Sequence, residues 1–241
     1  WIPSSRFWFC LNGVAWYLSV QAFLYAIFPG LIALLKKVDT RRLRCIAAAI
    51  FCAQFLFSLA IWKAGLSGKS IFYLTYLCPL FRAGDFAISC CMGCLYHSRK
   101  EERIPHGAFS LLELAAVLFS GGCFFIAARQ VGALGAVAFR YNVLFTPSAV
   151  LLVWLLAVGK GVISRLLSAK PFLWLAGLSP YGFLIHQVLI RYMELAANKL
   201  GLTAHPVVWT LTVFLLTLCL SSFYKALEHR VRKRHAKAAA R

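Results

Sequence analysis

Seven apolar stretches that reach or approach the length of a membrane-spanning helix limit what this chain can fold into. A helix needs about 20 apolar residues to cross the hydrocarbon layer of a bilayer, and 61% of the 241 residues are hydrophobic. The sequence therefore predicts an all-α, polytopic membrane helix bundle. Pro79 separates the third stretch from another apolar segment, Ile71–Leu80, which we expect to form a re-entrant or surface helix. The seven predicted spans are Val14–Leu35, Ile46–Trp62, Arg82–Tyr96, Ser110–Ala128, Ala138–Val158, Phe172–Ala197 and Pro206–Leu227.

Basic residues between the apolar stretches predict the orientation of the chain. Most of the 26 Lys and Arg residues follow the first, third, fifth and seventh stretches, and basic loops stay in the cytoplasm. We therefore expect a cytoplasmic C-terminus and an external Trp1, with a transmembrane domain over residues 1–227 and a basic cytoplasmic tail over 228–241. Such a tail is suited to contact anionic lipid. The chain begins W-I-P-S-S-R without Met, so we expect it to be the C-terminal part of a longer protein.

Several function classes fit the sequence poorly. A net charge of +19 would suggest a nucleic-acid partner, but the basic residues lie in short loops, where they act as topology signals and predict no nucleic-acid binding. The string C-C-M-G-C has no second ligand pair at zinc spacing, so we expect no metal site. The string G-L-S-G-K-S lacks the gap of a phosphate-binding loop, and no G-x-S-x-G turn for a nucleophilic serine occurs.

The sixth stretch carries polar residues at positions where a membrane helix should be apolar. His186 lies about 24 Å along a helix that begins at Lys170, at about 1.5 Å per residue, which places it past the midplane toward the outside. Gln187, Arg191 and Glu194 follow at spacings that put them on one helical face. Because such residues are costly at membrane depth, we expect this face to look into the bundle.

Polar residues near the outer ends of other stretches predict a shared extracytoplasmic cavity. Burying them together is the simplest arrangement that satisfies them all. The alternative is that they reach to the interface as separate side chains, with Arg191 and Glu194 forming a structural ion pair. Glu113, near the inner face, fits a structural and a donor-side role equally. The residues expected at the cavity are Ser19, Gln21, Arg82, Asp85, Arg140, Tyr141 and Asn142.

Four short motifs follow one another along the chain: W-Y-L-S-V-Q-A-F-L-Y-A-I-F-P from Trp16, P-L-F-R-A-G-D-F from Pro79, K-P-F-L-W-L-A-G-L-S-P-Y-G-F-L-I-H from Lys170, and L-E-H-R from Leu227. In this order they resemble the integral-membrane acyltransferase 3 family, whose members O-acylate, mostly O-acetylate, surface polysaccharides. Gln21 stands where that family usually has Glu, which removes a charge but keeps hydrogen-bonding capacity.

The resemblance implies about ten spans with a cytoplasmic N-terminus, of which this chain would supply the last seven. It also implies a location in the cell (inner) membrane. The family's R/K-x10-H signature belongs to its first span, and no His here follows a basic residue at that spacing. The principal catalytic histidine is therefore expected upstream of Trp1.

The same resemblance implies transfer of an acyl group from cytoplasmic acetyl-CoA, or another acyl-CoA, to a hydroxyl of an extracytoplasmic carbohydrate or cell-envelope acceptor. No tightly bound cofactor is expected. The reaction needs a base for the hydroxyl and donors for the developing oxyanion. The residues expected to supply catalytic groups are His186, Arg82 and Arg191. Those expected to bind the acceptor are Ser19, Gln21, Asp85, Trp16 and Glu194.

Two other classes of membrane protein use similar features. A transporter or flippase could use the intramembrane polar cluster to bind a solute, although neither paired inverted repeats nor broken helices in corresponding halves are evident in the sequence. A non-catalytic membrane subunit would fit the absence of the signature histidine.

Overall fold

The computed structural model describes residues 13–98, 106–129, 138–201 and 205–239. Within these ranges all regular elements are helical, as predicted. The opening W-I-P-S-S-R, the predicted loop residues Arg99, Lys100 and Arg103, and the last two tail residues lie outside the described residues. The helices are α1 (Ala15–Leu35), α2 (Thr40–Lys63), α3 (Gly68–Phe72), a π-helical turn (Tyr73–Leu77), α4 (Pro79–Ser98), α5 (His106–Arg129), α6 (Thr146–Val158), α7 (Val162–Leu167), α8 (Lys170–Ala176), α9 (Ser179–Leu200) and α10 (Pro206–Ala239).

Five helical segments of the described chain are long and apolar enough to cross a bilayer, or six if α8 and α9 are counted as one bent span. Seven were predicted, and that number is not confirmed. The outward faces of these segments carry exposed large apolar side chains, such as Leu111, Leu118 and Phe124 on α5. A continuous apolar surface of this kind is what lipid would cover.

Three predicted spans differ from the observed helices. The third joins its preceding apolar segment, because α3, the π-helical turn and α4 together form one candidate span, Gly68–Ser98. The fifth is not continuous, since residues 141–145 form turns and α6 has only 13 residues. The sixth is divided between α8 and α9, which meet at 58°. One straight helix was predicted over the sixth stretch, and the bend contradicts it.

Pro180 explains the break between α8 and α9. It lies in the first turn of α9, where its missing N–H is tolerated. In an unbroken helix its ring would clash with the carbonyl of residue 176, four positions earlier. Helix α8 ends at that residue, Ala176.

The chain divides into two units, which are described separately. Unit 1 includes Trp16–Leu167, and unit 2 includes the chain from Ser168 onward. In unit 1, α2 packs along α4 and α5 packs along α6. One core cluster of unit 1 contains Leu35, Leu43, Cys90 and Cys91, and a second contains Phe109, Ala116, Leu155 and Val158.

In unit 2, α9 packs against α10. The Tyr181 hydroxyl of α9 donates a hydrogen bond to the Glu228 carboxylate of α10. The same carboxylate pairs with Arg232 at 2.5 Å. Glu228 belongs to the L-E-H-R motif, so this motif residue links the two helices of the unit.

Candidate functional site

Arg82 is held at the start of α4 by groups on both sides of a break in the helix. The π-helical turn ends at Leu77, and the extended conformation of Cys78 leads into α4. Arg82 Nε donates to the Tyr76 carbonyl at 2.9 Å, and its guanidinium lies 4.9 Å from the centre of the Tyr76 ring. π-Helical turns are rare and frequently occur at functional sites. Here the turn presents a carbonyl and an aromatic face to one guanidinium.

Asp85 joins three helices at this point. Its Oδ2 accepts from Arg82 Nη1 at 3.2 Å. Its Oδ1 accepts from Gln54 Nε2 of α2 at 3.2 Å, and the Thr146 hydroxyl of α6, which donates to Asn142, lies 3.5 Å from the same oxygen. The carboxylate therefore fixes the Arg82 guanidinium. We call Gln54, Arg82, Asp85, Asn142 and Thr146 the Arg82 cluster.

Gly84 allows α2 and α4 to approach closely enough to form the Arg82 cluster. A Cβ atom on residue 84 would lie 2.6 Å from Gln54 Nε2, a distance that real Cβ contacts do not reach. Gln54 is buried and also donates to the Phe81 carbonyl at 3.0 Å. Its amide could therefore move aside only by losing these hydrogen bonds.

Aromatic rings surround the same point. The Tyr76 ring lies 4.8 Å from Trp16 of α1 and 5.2 Å from Tyr141. Phe72 lies 5.0 Å from both Tyr76 and Tyr141. The Arg140 guanidinium lies 5.1 Å from the Tyr141 ring. Arg82, Asp85, Tyr141 and Asn142, four of the residues predicted to meet, are thus brought together in unit 1 with Trp16 beside them.

A cavity of about 500 Å³ begins at the Arg82 cluster and continues between α4 and α6. Its other end is lined by Tyr96 and Trp154, about 21 Å from Arg82 at about 1.5 Å per residue of α4. The walls between the two ends are mainly apolar. We call this cavity the α4–α6 groove. Its lining includes Ile88, Met92, Gly93, Phe145, Val150 and Val153.

Asn142 lies at the polar end of the groove and is only partly satisfied. Its side-chain oxygen accepts from Thr146 Oγ1 at 3.1 Å. It is 4% exposed, and its Nδ2 has no hydrogen-bond partner in the part of the chain that the structure describes. A buried donor without an acceptor is costly.

The predicted site residues of the sixth stretch lie in unit 2. His186 is half-buried on α9, and its Nδ1 lies 3.0 Å from the Gly182 carbonyl. The predicted depth of His186 assumed one straight helix from Lys170, and the 58° bend contradicts that assumption. Gln187 is half-buried, whereas Arg191 and Glu194 are exposed. The proposed Arg191–Glu194 ion pair is not among those formed by the described residues.

Two predicted site residues on α1 do not join the Arg82 cluster. Ser19 is exposed, and Gln21 is half-buried. Gln21 Nε2 donates to the Tyr25 hydroxyl at 2.5 Å, one helical turn along the same face. The hydrogen bonds of the described residues include none from either side chain to the Arg82 cluster.

Glu113, for which a structural and a donor-side role were equally compatible, makes structural hydrogen bonds. It is fully buried on α5 and accepts from the backbone N–H groups of Gly161, Ile163 and Ser164 at 3.2, 2.9 and 3.2 Å. These groups belong to the start of α7, where N–H groups have no partner within the helix. Glu113 therefore fastens α7 to α5.

Gln54, Tyr76, Gly84 and Thr146 belong to the site but were missed in the sequence. Gln54 could have been found, because it is an isolated amide within an apolar stretch. Thr146 and Tyr76 give no such signal, since hydroxyl and aromatic residues are common in membrane helices. In the described part of the chain, no three His, Cys, Asp or Glu side chains are placed to hold a metal ion.

Comparison with known proteins gives one match. The family model described as an acyltransferase domain matches residues 1–225. No curated protein and no solved structure matches the chain.

Proposed function

The chain belongs to the acyltransferase 3 family, and on this basis we propose that it O-acylates an extracytoplasmic acceptor. The family membership and the apolar helices make it a multi-pass membrane acyltransferase. The donor we propose is cytoplasmic acetyl-CoA or another acyl-CoA, and the acceptor is a hydroxyl of a carbohydrate or cell-envelope molecule. The observation that supports a site in unit 1 is the Arg82 guanidinium, fixed on three sides at the end of a cavity.

The proposed reaction is a single acyl transfer. For this step the thioester of the cytoplasmic donor has to reach Arg82. There the acceptor oxygen attacks the thioester carbonyl carbon, a C–O bond forms, and the C–S bond to CoA breaks. The hydroxyl proton passes to a base and then to the departing CoA sulfur. Negative charge develops on the carbonyl oxygen, and a donor already fixed in place stabilises it without reorganisation. We assign this task to Arg82, which Asp85 and the Tyr76 carbonyl hold in place.

The remaining predicted residues keep proposed roles. In unit 2, His186 is proposed to transfer the hydroxyl proton and Arg191 to stabilise charge. Ser19, Gln21, Trp16 and Glu194 are proposed to bind the acceptor. For Asp85 we propose a positioning role, because its carboxylate is engaged by Arg82, Gln54 and Thr146.

The proposed arrangement in the membrane follows the basic loops. We propose seven crossings in the cell (inner) membrane, a cytoplasmic C-terminus, a transmembrane domain over residues 1–227 and a basic tail over 228–241. Helix α6, with 13 residues, would then cross together with the turns that precede it. The Arg82 end of α4 would face the outside.

The test is transfer of labelled acetyl groups from acetyl-CoA to cell-envelope carbohydrate by membranes containing the protein expressed from its complete gene. We expect Arg82→Gln to lower the rate by about 10²–10³, the effect of removing one oxyanion donor. We expect His186→Ala to lower it by about 10²–10⁴, the usual effect of removing an acid–base group. Arg42→Gln is the matched control, because its ion pair with Asp39 is exposed.

If either variant retains the wild-type rate at equal expression, the role assigned to the substituted residue is wrong. If the wild-type protein binds no acyl-CoA and transfers no acetyl group, the proposed function itself is wrong.

A further inference from the structure

The α4–α6 groove has one polar end and a long apolar body, a shape that matches an amphipathic ligand. Ligand sites in proteins are mostly apolar with a few placed polar groups, and this cavity has that composition. Arg82, Asp85, Tyr141, Asn142 and Thr146 lie at its polar end. Its body passes Ile88, Met92, Val150 and Val153 before reaching Tyr96 and Trp154. Ser89, a polar residue along the body, donates its hydroxyl to the Asp85 carbonyl at 2.9 Å.

The polar end of the groove has a hydrogen-bond donor in need of an acceptor. Asn142 Nδ2 is buried at the groove and has no partner in the described part of the chain. Arg82 at the same end adds positive charge, partly balanced by Asp85 at 3.2 Å. A ligand oxygen beside Arg82 would satisfy Asn142 once its amide turns toward the groove, because Nδ2 has almost no accessible surface in the structure.

At the other end, the polar side chain is already engaged. The Tyr96 hydroxyl donates to the Ala157 carbonyl at 2.8 Å, and its ring lies 5.9 Å from that of Trp154. The oxygen-bearing head of a ligand therefore belongs at the Arg82 end, with its chain pointing toward Tyr96.

We propose that the α4–α6 groove binds the single hydrocarbon chain of a lipid-anchored acceptor, with an oxygen of its head on Asn142 Nδ2 and its reactive hydroxyl near Arg82. This inference rests on the proposed function and adds the acceptor's substrate class. In the proposed topology the Arg82 end faces outside, so the ligand has the orientation of an outer-leaflet lipid. The acyl chain of a cytoplasmic donor would enter with its head at the opposite end.

The groove orients the ligand more than it attracts the chain. Lipid tails are as apolar as the groove lining, so a chain gains little by leaving the bilayer. Selectivity comes instead from the head, where an unpaired buried donor discriminates strongly against a ligand without an acceptor. The chain keeps the hydroxyl at one depth beside Arg82, and restricting position in this way raises the effective concentration of a reactant.

The test uses a hexadecyl glucoside with a photoactivatable diazirine on the last chain carbon, added to the protein in lipid nanodiscs. We expect saturable labelling at the Tyr96–Trp154 end of α4 and α6, displaced by unmodified hexadecyl glucoside. Gly93→Phe should lower this labelling about tenfold or more by filling the groove. Gly93 lines the groove, and no atom lies within 4 Å of the position its Cβ would take.

Gly121→Phe is the matched control, because it is also a helical glycine with open space around it but lies on α5 outside the groove. It should leave labelling unchanged. Asn142→Leu should weaken labelling while preserving side-chain size, because the head loses its donor. Labelling that does not saturate, or that is equal in the Gly93→Phe and Gly121→Phe proteins, would overturn the inference.

Acetyl transfer measured in parallel separates this inference from the proposed function. If the protein acetylates soluble sugar but the probe labels the groove no more than other lipid-facing helices, the groove inference is wrong and the function stands. If the groove is labelled selectively but no acceptor is acetylated, the proposed function is wrong. The groove is then a lipid-binding site that takes no part in acyl transfer.

Discussion

At the scale of single residues, the Arg82 cluster depends on the small space between α2 and α4. Gln54 reaches both Asp85 and the Phe81 carbonyl because residue 84 has no side chain. One added methyl group at position 84 would therefore disturb the Arg82 cluster, although residue 84 itself contributes no functional group to it.

We predict that Gly84→Ala destabilises the protein by about 1–3 kcal/mol, the usual cost of adding atoms to a packed interior. The new Cβ would lie 2.6 Å from Gln54 Nε2 and displace the amide from its acceptors. The measurement is reversible unfolding in detergent. Gly93→Ala is the control, because its Cβ meets open space. It should change stability by no more than the gain of about 1 kcal/mol expected for Gly→Ala in a helix.

A double variant identifies the cause. If the clash with Gln54 is responsible, the combined loss in Gln54→Ala/Gly84→Ala should be smaller than the two single losses together, because neighbouring residues are not additive. Additive losses would mean that Gly84 matters for another reason.

The sequence predicted part of this cluster. Arg82 and Asp85 are three positions apart on a helix, so their pairing follows from spacing. Tyr141 and Asn142 were expected at the same cavity because they are polar near the end of an apolar stretch. The contribution of Gln54 depends on how α2 lies against α4, and no local pattern in either helix specifies that distance.

At the scale of elements, the bend between α8 and α9 is attributed to Pro180. Its ring is incompatible with a continuing carbonyl at Ala176, and α8 ends there. The whole stretch was predicted as one span because it is long and largely apolar, apart from the polar residues of its second half. Hydropathy describes how favourably side chains transfer into lipid. It does not detect that the backbone of one residue, a proline, has no N–H.

We predict that Pro180→Ala straightens this element. The measurement is the distance between spin labels at residues 172 and 192 in a cysteine-free background. It should increase by a few ångströms toward the about 30 Å expected of a straight 20-residue helix. Pro171→Ala is the control, because Pro171 occupies the first turn of α8, where proline is tolerated. An unchanged distance in Pro180→Ala would mean that packing against α10 sets the bend.

The turns before α6 were also not predicted from the sequence. Residues 141–145 are turns within a stretch that reads as one apolar run. Asn142 stabilises them locally, since its carbonyl accepts from the N–H of Phe145 at 2.8 Å and from that of Thr146 at 3.1 Å. These two bonds use the backbone of Asn142, and its side-chain oxygen adds a local bond from the Thr146 hydroxyl at 3.1 Å.

At the scale of the whole molecule, composition was sufficient for the fold class. Apolar stretches near 20 residues predicted helices, and the bounds of α1 and α5 agree with the prediction within a few residues, whereas α2 begins at Thr40, earlier than the predicted Ile46. The number of membrane crossings is harder to predict, because short, bent and π-helical segments have the same apolar composition as a straight membrane-spanning helix.

The orientation gives a prediction for the intact protein. In a cysteine-free background, Ala64→Cys between α2 and α3 should react with a membrane-impermeant maleimide in intact cells. Thr40→Cys at the start of α2 should react only after permeabilisation, because the neighbouring basic loop is expected in the cytoplasm. Both positions are exposed. The reverse pattern would invert the proposed topology and, with it, the side on which the Arg82 end opens.

The contact between Gln54 and Gly84 also bears on how this site could change during evolution. Any side chain at position 84 meets the amide of residue 54, so Gly84 can be replaced at low cost only after Gln54 has become smaller. Changing Gln54 first removes its hydrogen bonds to Asp85 and the Phe81 carbonyl. Both mutational routes therefore pass through a less stable intermediate. We expect descendants of this chain to keep both residues or to have replaced both.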